Sequence, residues 1–230
     1  MNLLQTLKDI DTQILLFING GHSTLWDYVM FAYTFKFTWI IFYVIISYTL
    51  YKNFGKKIWM IFVMIGLTIL VTDQTCNLFK YGFARPRPGH DPIIGDLVNI
   101  FYKKGGRFGF VSAHAANCFA LTVLLYNIVK NKRFLVYMII WSVVVSFSRV
   151  YLGVHYPGDV IGGAILGSFL GWFIYRLTLY TERYLPMDNS RSLSSLSLNN
   201  TQLLPVQSAL LWMLLLPIMM IQFYVMKDLL

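Results

Sequence analysis

The sequence has few charged residues and very few acidic ones. Only 13% of its 230 residues are charged, with ten acidic residues against nineteen Lys and Arg residues. An ordinary soluble domain carries roughly 25% charged residues, whereas this chain is 57% hydrophobic and 17% aromatic. The composition excludes an ordinary soluble globular protein and predicts an integral membrane protein.

Cysteine and histidine are also scarce. Cys76 and Cys118 both fall within apolar segments, which predicts packing residues and neither a disulfide nor a metal site. The four histidines have few acidic residues near them in the sequence, which gives little support to a metal-dependent hydrolase. We therefore expect no metal and no cofactor.

The formal net charge of +9 could indicate a nucleic-acid partner. The cations, however, are scattered at the ends of apolar segments, which favours membrane anchoring and an anionic substrate. We therefore expect no nucleic acid as a partner, and no protein partner is evident.

The distribution of apolar segments predicts one helical bundle. Residues 1–20 place Leu and Ile at helical spacing but are interrupted by charges, as is typical of an interfacial amphipathic helix. Residues 21–180 are expected to form the transmembrane core, 181–207 a polar linker, and 208–230 a C-terminal membrane helix. The predicted fold class is all-α, a polytopic transmembrane bundle of about six membrane helices.

The predicted spans alternate in direction across the membrane. They cover about residues 39–51, lengthened by 33–37, then 59–79, 113–129, 134–151, 159–180 and 209–226. Gly163, Gly167 and Gly171 repeat every four residues in the fifth span, a pattern that allows close helix packing.

One stretch, residues 148–159, places polar side chains within strongly apolar sequence. Arg149, His155 and Asp159 are expensive at membrane depth, so they are expected to face a cavity or one another. Asp159 follows His155 by four residues across a Pro-Gly turn, which could bring its carboxylate onto one imidazole nitrogen. The other nitrogen would then be free to act as a nucleophile or base.

Two further polar segments are expected at the same membrane face, because successive spans alternate in direction. Residues 80–88 read Lys-Tyr-Gly-Phe-Ala-Arg-Pro-Arg-Pro, and residues 111–114 read Val-Ser-Ala-His. The opposite face receives the cations of two short loops, which by the positive-inside rule predicts that it is cytoplasmic. Those cations are Lys52, Lys56, Lys57, Lys130, Lys132 and Arg133.

The three segments together resemble the type 2 phosphatidic acid phosphatase family, whose motifs are Lys-x6-Arg-Pro, Pro-Ser-Gly-His and Ser-Arg-x5-His-x3-Asp. Residues 80–88 match the first motif and residues 148–159 match the third. The second motif matches in part, because Val111 replaces the proline and Ala113 the glycine. The resemblance covers about residues 59–180.

The resemblance implies a catalytic set and a phosphate-binding set. His155 would attack phosphorus and form a phosphohistidine, Asp159 would orient it, and His114 would protonate the leaving oxygen. The phosphate oxygens would be held by cations and by donors at a helix N-terminus. These phosphate-binding residues are Lys80, Arg87, Ser112, Ala113 and Arg149. Arg85 and His90 lie outside the pattern, and substrate contact is the less favoured interpretation for both.

The resemblance further implies hydrolysis of a membrane lipid phosphate or diphosphate at the outer face of a bacterial-type inner membrane. Undecaprenyl diphosphate, phosphatidic acid, phosphatidylglycerol phosphate and lipid A phosphate remain open as substrates. An alternative is a catalytically idle protein of the same fold that binds or transports a lipid phosphate. Haloperoxidase-like oxidation is a third, less favoured hypothesis.

Overall fold

The computed structural model describes residues 3–184, 193, 195 and 197–227. Within these residues the chain forms eight α-helices joined by turns, short 3-10 helices and one long loop. They are α1 (Leu3–Gly20), α2 (Thr24–Thr34), α3 (Ile40–Phe54), α4 (Ile58–Phe83), α5 (Ala113–Val129), α6 (Lys132–Tyr151), α7 (Pro157–Tyr184) and α8 (Asn200–Lys227).

Four helical runs in the described part of the chain are long and apolar enough to cross a membrane. They are Lys36–Phe83, Lys132–Tyr151, Pro157–Tyr184 and Asn200–Met219. The first run has 48 residues, whereas one crossing needs about 20, and it is divided into α3 and α4 by a 3-10 turn at Gly55–Lys57. With the shorter apolar helix α5, the described residues form six membrane helices, α3 to α8. The predicted all-α polytopic fold is confirmed.

The first span, predicted at about 39–51, corresponds to α3 (Ile40–Phe54), but its predicted lengthening by 33–37 was wrong. Residue Tyr33 belongs to α2, Phe35 has an extended backbone, and a 3-10 helix over Lys36–Trp39 precedes α3. The Trp39 indole donates to the Tyr33 carbonyl at 2.9 Å, and the Tyr33 hydroxyl donates to the Leu214 carbonyl at 2.6 Å. These bonds hold the bend, which the sequence of 31–39, with an aromatic residue at every second position, does not indicate.

The helices on both sides of the predicted linker are longer than expected. Helix α7 continues to Tyr184 and α8 begins at Asn200, so both reach into the segment 181–207. At the start of α8, the Asn199 and Gln202 side chains each accept the other residue's backbone N–H at 2.9 Å, a capping box. Residues 185–192, 194, 196 and 228–230 lie outside the described residues.

Helices α5 and α7 pack closely enough for their backbones to touch. The glycines of the predicted repeat lie against backbone carbonyls of α5, and a methyl group at Gly167 would overlap the Ala116 carbonyl. The packing role of this repeat is therefore confirmed. At one end of the pair, the Ser112 N–H donates to the Asp159 carbonyl at 2.9 Å, which brings two of the predicted site segments together.

The largest apolar core joins α2 to α8 around Trp141, whose ring lies 5.9 Å from that of Trp39 and 5.7 Å from that of Phe42. Cys118 belongs to this core, and Cys76 belongs to a smaller cluster beside Val111. Both cysteines are free and buried. Their predicted packing role is confirmed.

Helix α1 turns its apolar residues outward and a mixed face inward. Leu3 is 74% and Phe17 85% exposed, whereas Leu15 and Asn19 are buried. The Asn19 amide donates to the Tyr151 carbonyl at 2.7 Å and to the Asn99 carbonyl at 2.9 Å. The outward stripe is what an interfacial helix requires, and its location in the membrane interface remains a prediction.

Candidate active site

The first site segment leaves the end of α4. Lys80 lies in the last turn, and Ala84 ends the helix in the left-handed conformation, its N–H donating to the Lys80 carbonyl. The two ends of the following loop lie side by side. The Arg87 N–H donates to the Arg107 carbonyl at 2.9 Å, and Arg87 Nε donates to the Phe108 carbonyl at 3.1 Å. Burial lowers the pKa of Arg87, and the Asp159 carboxylate opposes that shift.

The second segment begins α5. Ser112 occupies the N-cap position, but its side chain makes no capping bond. Its Oγ is buried without a hydrogen-bond partner. The methyl group of Ala113 packs with Cys76 and Val111. Because alanine has no side-chain donor, only its backbone N–H can bind an anion.

The third segment starts at the end of α6 with Arg149. One of its terminal nitrogens donates to Thr34 Oγ1 at the end of α2. Its Nε is buried without a partner. Two of the predicted phosphate-binding residues, Ser112 and Arg149, thus hold buried donors that a phosphate could satisfy.

The segment continues into the turn before α7, where His155 and Asp159 form a buried pair. His155 Nδ1 lies 3.2 Å from Asp159 Oδ2, and the side chains are 2% and 0% exposed. Pro157 is the first residue of α7, and Asp159 accepts the Tyr156 N–H at 3.2 Å, which is the carboxylate half of a capping box. Asp159 therefore lies in the first helical turn, because α7 begins at Pro157, two residues before the predicted start of the span at 159.

The environment of His155 favours its neutral form. Burial, and then Arg87, Arg149 and Lys80, lower the pKa of His155 well below its ordinary value. A carboxylate can only accept a hydrogen bond, so in the neutral ring Nδ1 carries the proton and Nε2 is left as the nucleophilic nitrogen.

The predicted site residues converge around this pair. His114, in the second segment, has four charged or ionisable neighbours drawn from the other two segments, namely Arg149, His155, Arg87 and Lys80. Among the described residues, no group of three or more His, Cys, Asp and Glu side chains is arranged to hold a metal ion.

Two residues of this site were missed by the sequence prediction. Arg85 Nη1 donates to Asp159 Oδ1 at 3.0 Å, and Arg85 Nη2 donates to Asp11 Oδ2 at 2.7 Å. Asp11 had no sequence signal, because it lies on α1, far from the three segments along the chain. For Arg85, the one available signal was its position two residues before Arg87.

Two loop glycines also shape the site. A methyl group at Gly109 would lie 2.7 Å from Asp159 Oδ2. Gly105 adopts a φ of +74°, with the Arg87 guanidinium lying against it. His90 lies 3.1 Å through Nε2 from the Gly105 carbonyl and is exposed, so it braces the loop and does not join the buried pair.

A cavity of about 250 Å³ lies beside Arg149, between the end of α2 and the long loop. Its wall includes the aromatic residues Phe31, Phe35 and Tyr102 and the cation Lys103. The Phe31 and Tyr102 rings are 4.9 Å apart. The cavity thus combines aromatic faces with two positive charges.

The model of the PAP2 superfamily matches residues 57–183, the part of the chain that holds all three segments. The chain belongs to the PAP2 superfamily. A lipid A 4'-phosphatase of Bacteroides thetaiotaomicron is 45% identical, covering 75% of this chain and 79% of the relative. A lipid A 4'-phosphatase of Porphyromonas gingivalis is 34% identical, covering 78% of this chain and 77% of the relative.

Solved structures of PAP2 proteins have the same fold. LpxE of Aquifex aeolicus superposes with a TM-score of 0.57 at 21% identity, covering 72% of this chain and 94% of that one. A phosphatidylglycerolphosphate phosphatase of Bacillus subtilis superposes with a TM-score of 0.58 at 20% identity, covering 81% and 90%. The chain is a membrane phosphatase of the PAP2 superfamily.

Proposed function

We propose that this PAP2 protein removes a phosphate group from a lipid A-type glycolipid through a phosphohistidine intermediate. The observation that carries the proposal is the buried pair of His155 and Asp159, with its imidazole surrounded by Lys80, Arg87 and Arg149. A binding or transport protein would need the cations but not an oriented neutral imidazole.

In the first step, His155 Nε2 attacks phosphorus, and the bond between phosphorus and the lipid oxygen breaks. His114 donates a proton to that departing oxygen, which leaves as the lipid alcohol. In the second step a water molecule attacks the phosphohistidine, His114 takes its proton, and the bond between phosphorus and Nε2 breaks. Inorganic phosphate leaves and both imidazoles return to their starting states.

Positive charge and buried donors stabilise the phosphoryl oxygens during both steps. Arg87 and Arg149 offer planar guanidinium groups that match phosphate geometry, and Lys80 adds a point charge. The unpartnered Ser112 Oγ and Arg149 Nε gain acceptors when the phosphate binds. The backbone N–H groups at the start of α5, including that of Ala113, favour an anion at the helix N-terminus.

Two observations support a glycolipid among the possible lipid phosphates. Two relatives, which cover 75% and 78% of this chain, are both named lipid A 4'-phosphatase. The aromatic cavity beside Arg149 has a volume of about 250 Å³, room enough for one hexose ring. Its rings offer apolar faces for the sugar, and Lys103 and Arg149 offer donors for its hydroxyl groups.

We further propose that the site faces the exterior of a bacterial-type inner membrane. The ends of the helices opposite the site carry the loop cations Lys52, Lys56, Lys130, Lys132 and Arg133. By the positive-inside rule, that end lies in the cytoplasm. A site at the outer leaflet gives a membrane-anchored lipid phosphate direct access to His155.

The test is phosphate release by the purified protein from a panel of lipids in mixed micelles. The panel contains lipid A, phosphatidic acid, phosphatidylglycerol phosphate and undecaprenyl diphosphate, each assayed with excess chelator and with orthovanadate. We expect lipid A to have the highest kcat/KM, no loss of rate in chelator, and inhibition by vanadate. Strict dependence on an added divalent metal would contradict the mechanism, and a higher kcat/KM for another lipid would contradict the substrate.

A further inference from the structure

We propose that Asp11 and Arg85 are positioning residues for the catalytic pair, so that the N-terminal helix α1 takes part in setting the rate of the reaction. This inference rests on the proposed function. Arg85 lies within the first segment, 80–88, but at a position that the motif leaves unspecified. Asp11 lies outside the region 57–183 matched by the family model.

The two oxygens of the Asp159 carboxylate have different partners. Oδ2 receives His155 Nδ1 and the Tyr156 N–H, both at 3.2 Å. Oδ1 receives Arg85 Nη1 at 3.0 Å. The carboxylate is therefore held from both sides, and Arg85 determines the rotation that aims Oδ2 at the imidazole.

The charge of Arg85 matters as much as its position. The Asp159 side chain is 0% exposed, and a buried carboxylate without a cation or several donors is strongly disfavoured. Arg85 supplies the cation on the side of Asp159 that His155 does not occupy. It thereby favours the ionised carboxylate, which His155 needs as its acceptor.

Arg85 is itself fixed by neighbours. Its guanidinium carbon lies 4.0 Å from the centre of the Tyr156 ring, and the Tyr156 hydroxyl donates to Asp91 at 3.0 Å. Its second terminal nitrogen donates to Asp11 at 2.7 Å. A planar guanidinium can bridge two carboxylates in this way, whereas a lysine ammonium can reach only one of them with good geometry.

Asp11 holds two parts of the site at once. Oδ2 accepts from Arg85, and Oδ1 accepts the Gly158 N–H at 2.7 Å. Gly158 lies in the first turn of α7, where a negative charge is favoured by the helix dipole. A methyl group at Gly158 would lie 2.8 Å from the Asp11 carboxylate, so the close approach requires glycine.

Helix α1 can bear this role because its inner face is anchored. Leu15 is fully buried, and Asn19 bonds to the backbone at Tyr151 and Asn99. Asp11, one helical turn before Leu15, therefore has little freedom to move away from Arg85. A helix predicted to lie in the membrane interface is thus connected to Asp159 through a single arginine.

A positioning role predicts a particular kinetic signature. Arg85 contacts Asp159 on the oxygen turned away from His155, so the phosphate need not touch either Arg85 or Asp11. Loss of the network is then expected to lower kcat and leave KM unchanged. Misplaced catalytic groups commonly cost ten- to a hundredfold in rate, so we expect a roughly tenfold lower kcat for Asp11→Asn and a roughly hundredfold lower kcat for Arg85→Lys.

The experiment measures kcat and KM on lipid A and on p-nitrophenyl phosphate for the full-length protein. Asp11→Asn keeps one acceptor oxygen, which can bond to Gly158 or to Arg85, and it loses the negative charge. Asp11→Glu keeps the carboxylate. The matched control is Asp9→Asn, which removes the same charge from the same helix at an exposed residue bonded only to Gln5 in the described contacts. Melting temperature and monodispersity verify folding.

Support requires a lower kcat for Asp11→Asn at unchanged KM on both substrates, recovery in Asp11→Glu, and no change in Asp9→Asn. If Asp11→Asn equals Asp9→Asn, or if KM rises while kcat is kept, the positioning role is overturned. If Asp11→Asn does not fold, Arg85→Lys is judged by the same criterion. Wild-type protein that releases no phosphate from any substrate would overturn the proposed function, and this inference with it.

Discussion

Two buried ionic clusters lie at opposite ends of the bundle, and they differ in what they leave open. At the end away from the site, Lys57 Nζ bonds to Glu182 Oε1 at 2.8 Å, and the Leu193 N–H donates to both oxygens of Glu182, at 2.9 and 3.1 Å. Each of these contacts between described residues joins one part of the chain to another.

The cluster at the site end has the same kind of ion pairs, but buried hydrogen-bond donors beside it have no partner. Arg85, Asp159 and His155 are joined by contacts within the chain, yet Ser112 Oγ and Arg149 Nε are buried without partners. Because both ends of the bundle have such ion pairs, a buried ion pair by itself is a poor indicator of function. Unpartnered buried donors also occur in the bundle core, as at Trp141 Nε1 and Ser146 Oγ, so those of Ser112 and Arg149 indicate a binding site because they lie beside His155 and Asp159.

The largest effect should follow from removing the nucleophile. His155→Ala deletes the nitrogen that attacks phosphorus, so we expect kcat to fall by about 10³-fold or more on every substrate while the protein stays folded. Phosphate release and melting temperature measure the two properties. A variant that keeps more than about a tenth of the wild-type rate would show that another group attacks phosphorus.

A smaller and selective effect is expected from His114→Ala. A lipid alkoxide is a poor leaving group and needs a proton, so its rate should fall by roughly 10²-fold or more. p-Nitrophenolate needs little protonation, so its release should fall by less than about tenfold, provided that this small ester is accepted. The measurement is the ratio of the two rates in each variant. Equal losses on both substrates would make His114 a phosphate-binding residue.

The unpartnered donors at the site end provide a third test. Ser112→Ala removes a hydroxyl that would bond a charged phosphate, so kcat/KM should fall by roughly tenfold, as expected for one hydrogen bond to an ion. The control is Ser142→Ala, which removes a buried hydroxyl bonded at 2.8 Å to Thr122 in the described structure. If both variants have the same kcat/KM per folded molecule, the unpartnered Ser112 hydroxyl does not take part in the reaction.

At the other end of the bundle, stability should change more than activity. Lys57→Met leaves the Glu182 carboxylate buried without its cation, a change that commonly costs about 3 kcal/mol or more. We expect a lower melting temperature with kcat and KM per folded molecule within about a factor of two of wild type. A loss of activity like that of Ser112→Ala would show that the two ends are not independent.

The smallest effect concerns pH. Burial and three cations lower the pKa of His155, so the imidazole stays neutral as the pH falls through about 6.5, the ordinary histidine value. We expect the acidic limb of kcat/KM that belongs to His155 to lie below that pH. The unfolded chain does bind a proton there, so stability should decrease as the pH falls from about 6.5 towards the folded pKa. A limb centred at or above pH 6.5 would contradict the low pKa of His155.

Much of the bundle could be predicted from the sequence, because lipid imposes its requirements locally. Every backbone polar group in a membrane must be satisfied within its own helix, so long apolar runs indicate spans directly. The regular spacing of Gly163, Gly167 and Gly171 likewise indicated a close helix contact. The bend at Phe35 and the helical turns beyond residue 180 depend on single hydrogen bonds and an ion pair between distant residues, which composition does not report.

The candidate site divides in the same way. The composition of the reactive face can be read from the sequence, because His155 and Asp159 are only four residues apart and Lys80 and Arg87 only seven. The tertiary structure alone decided that Asp11 meets Arg85, that Thr34 meets Arg149, and that the Ser112 hydroxyl lacks a partner. The physical reason is distance along the chain: a bond within one turn leaves a pattern of spacing, whereas a bond between α1 and α7 exists only after the helices have packed.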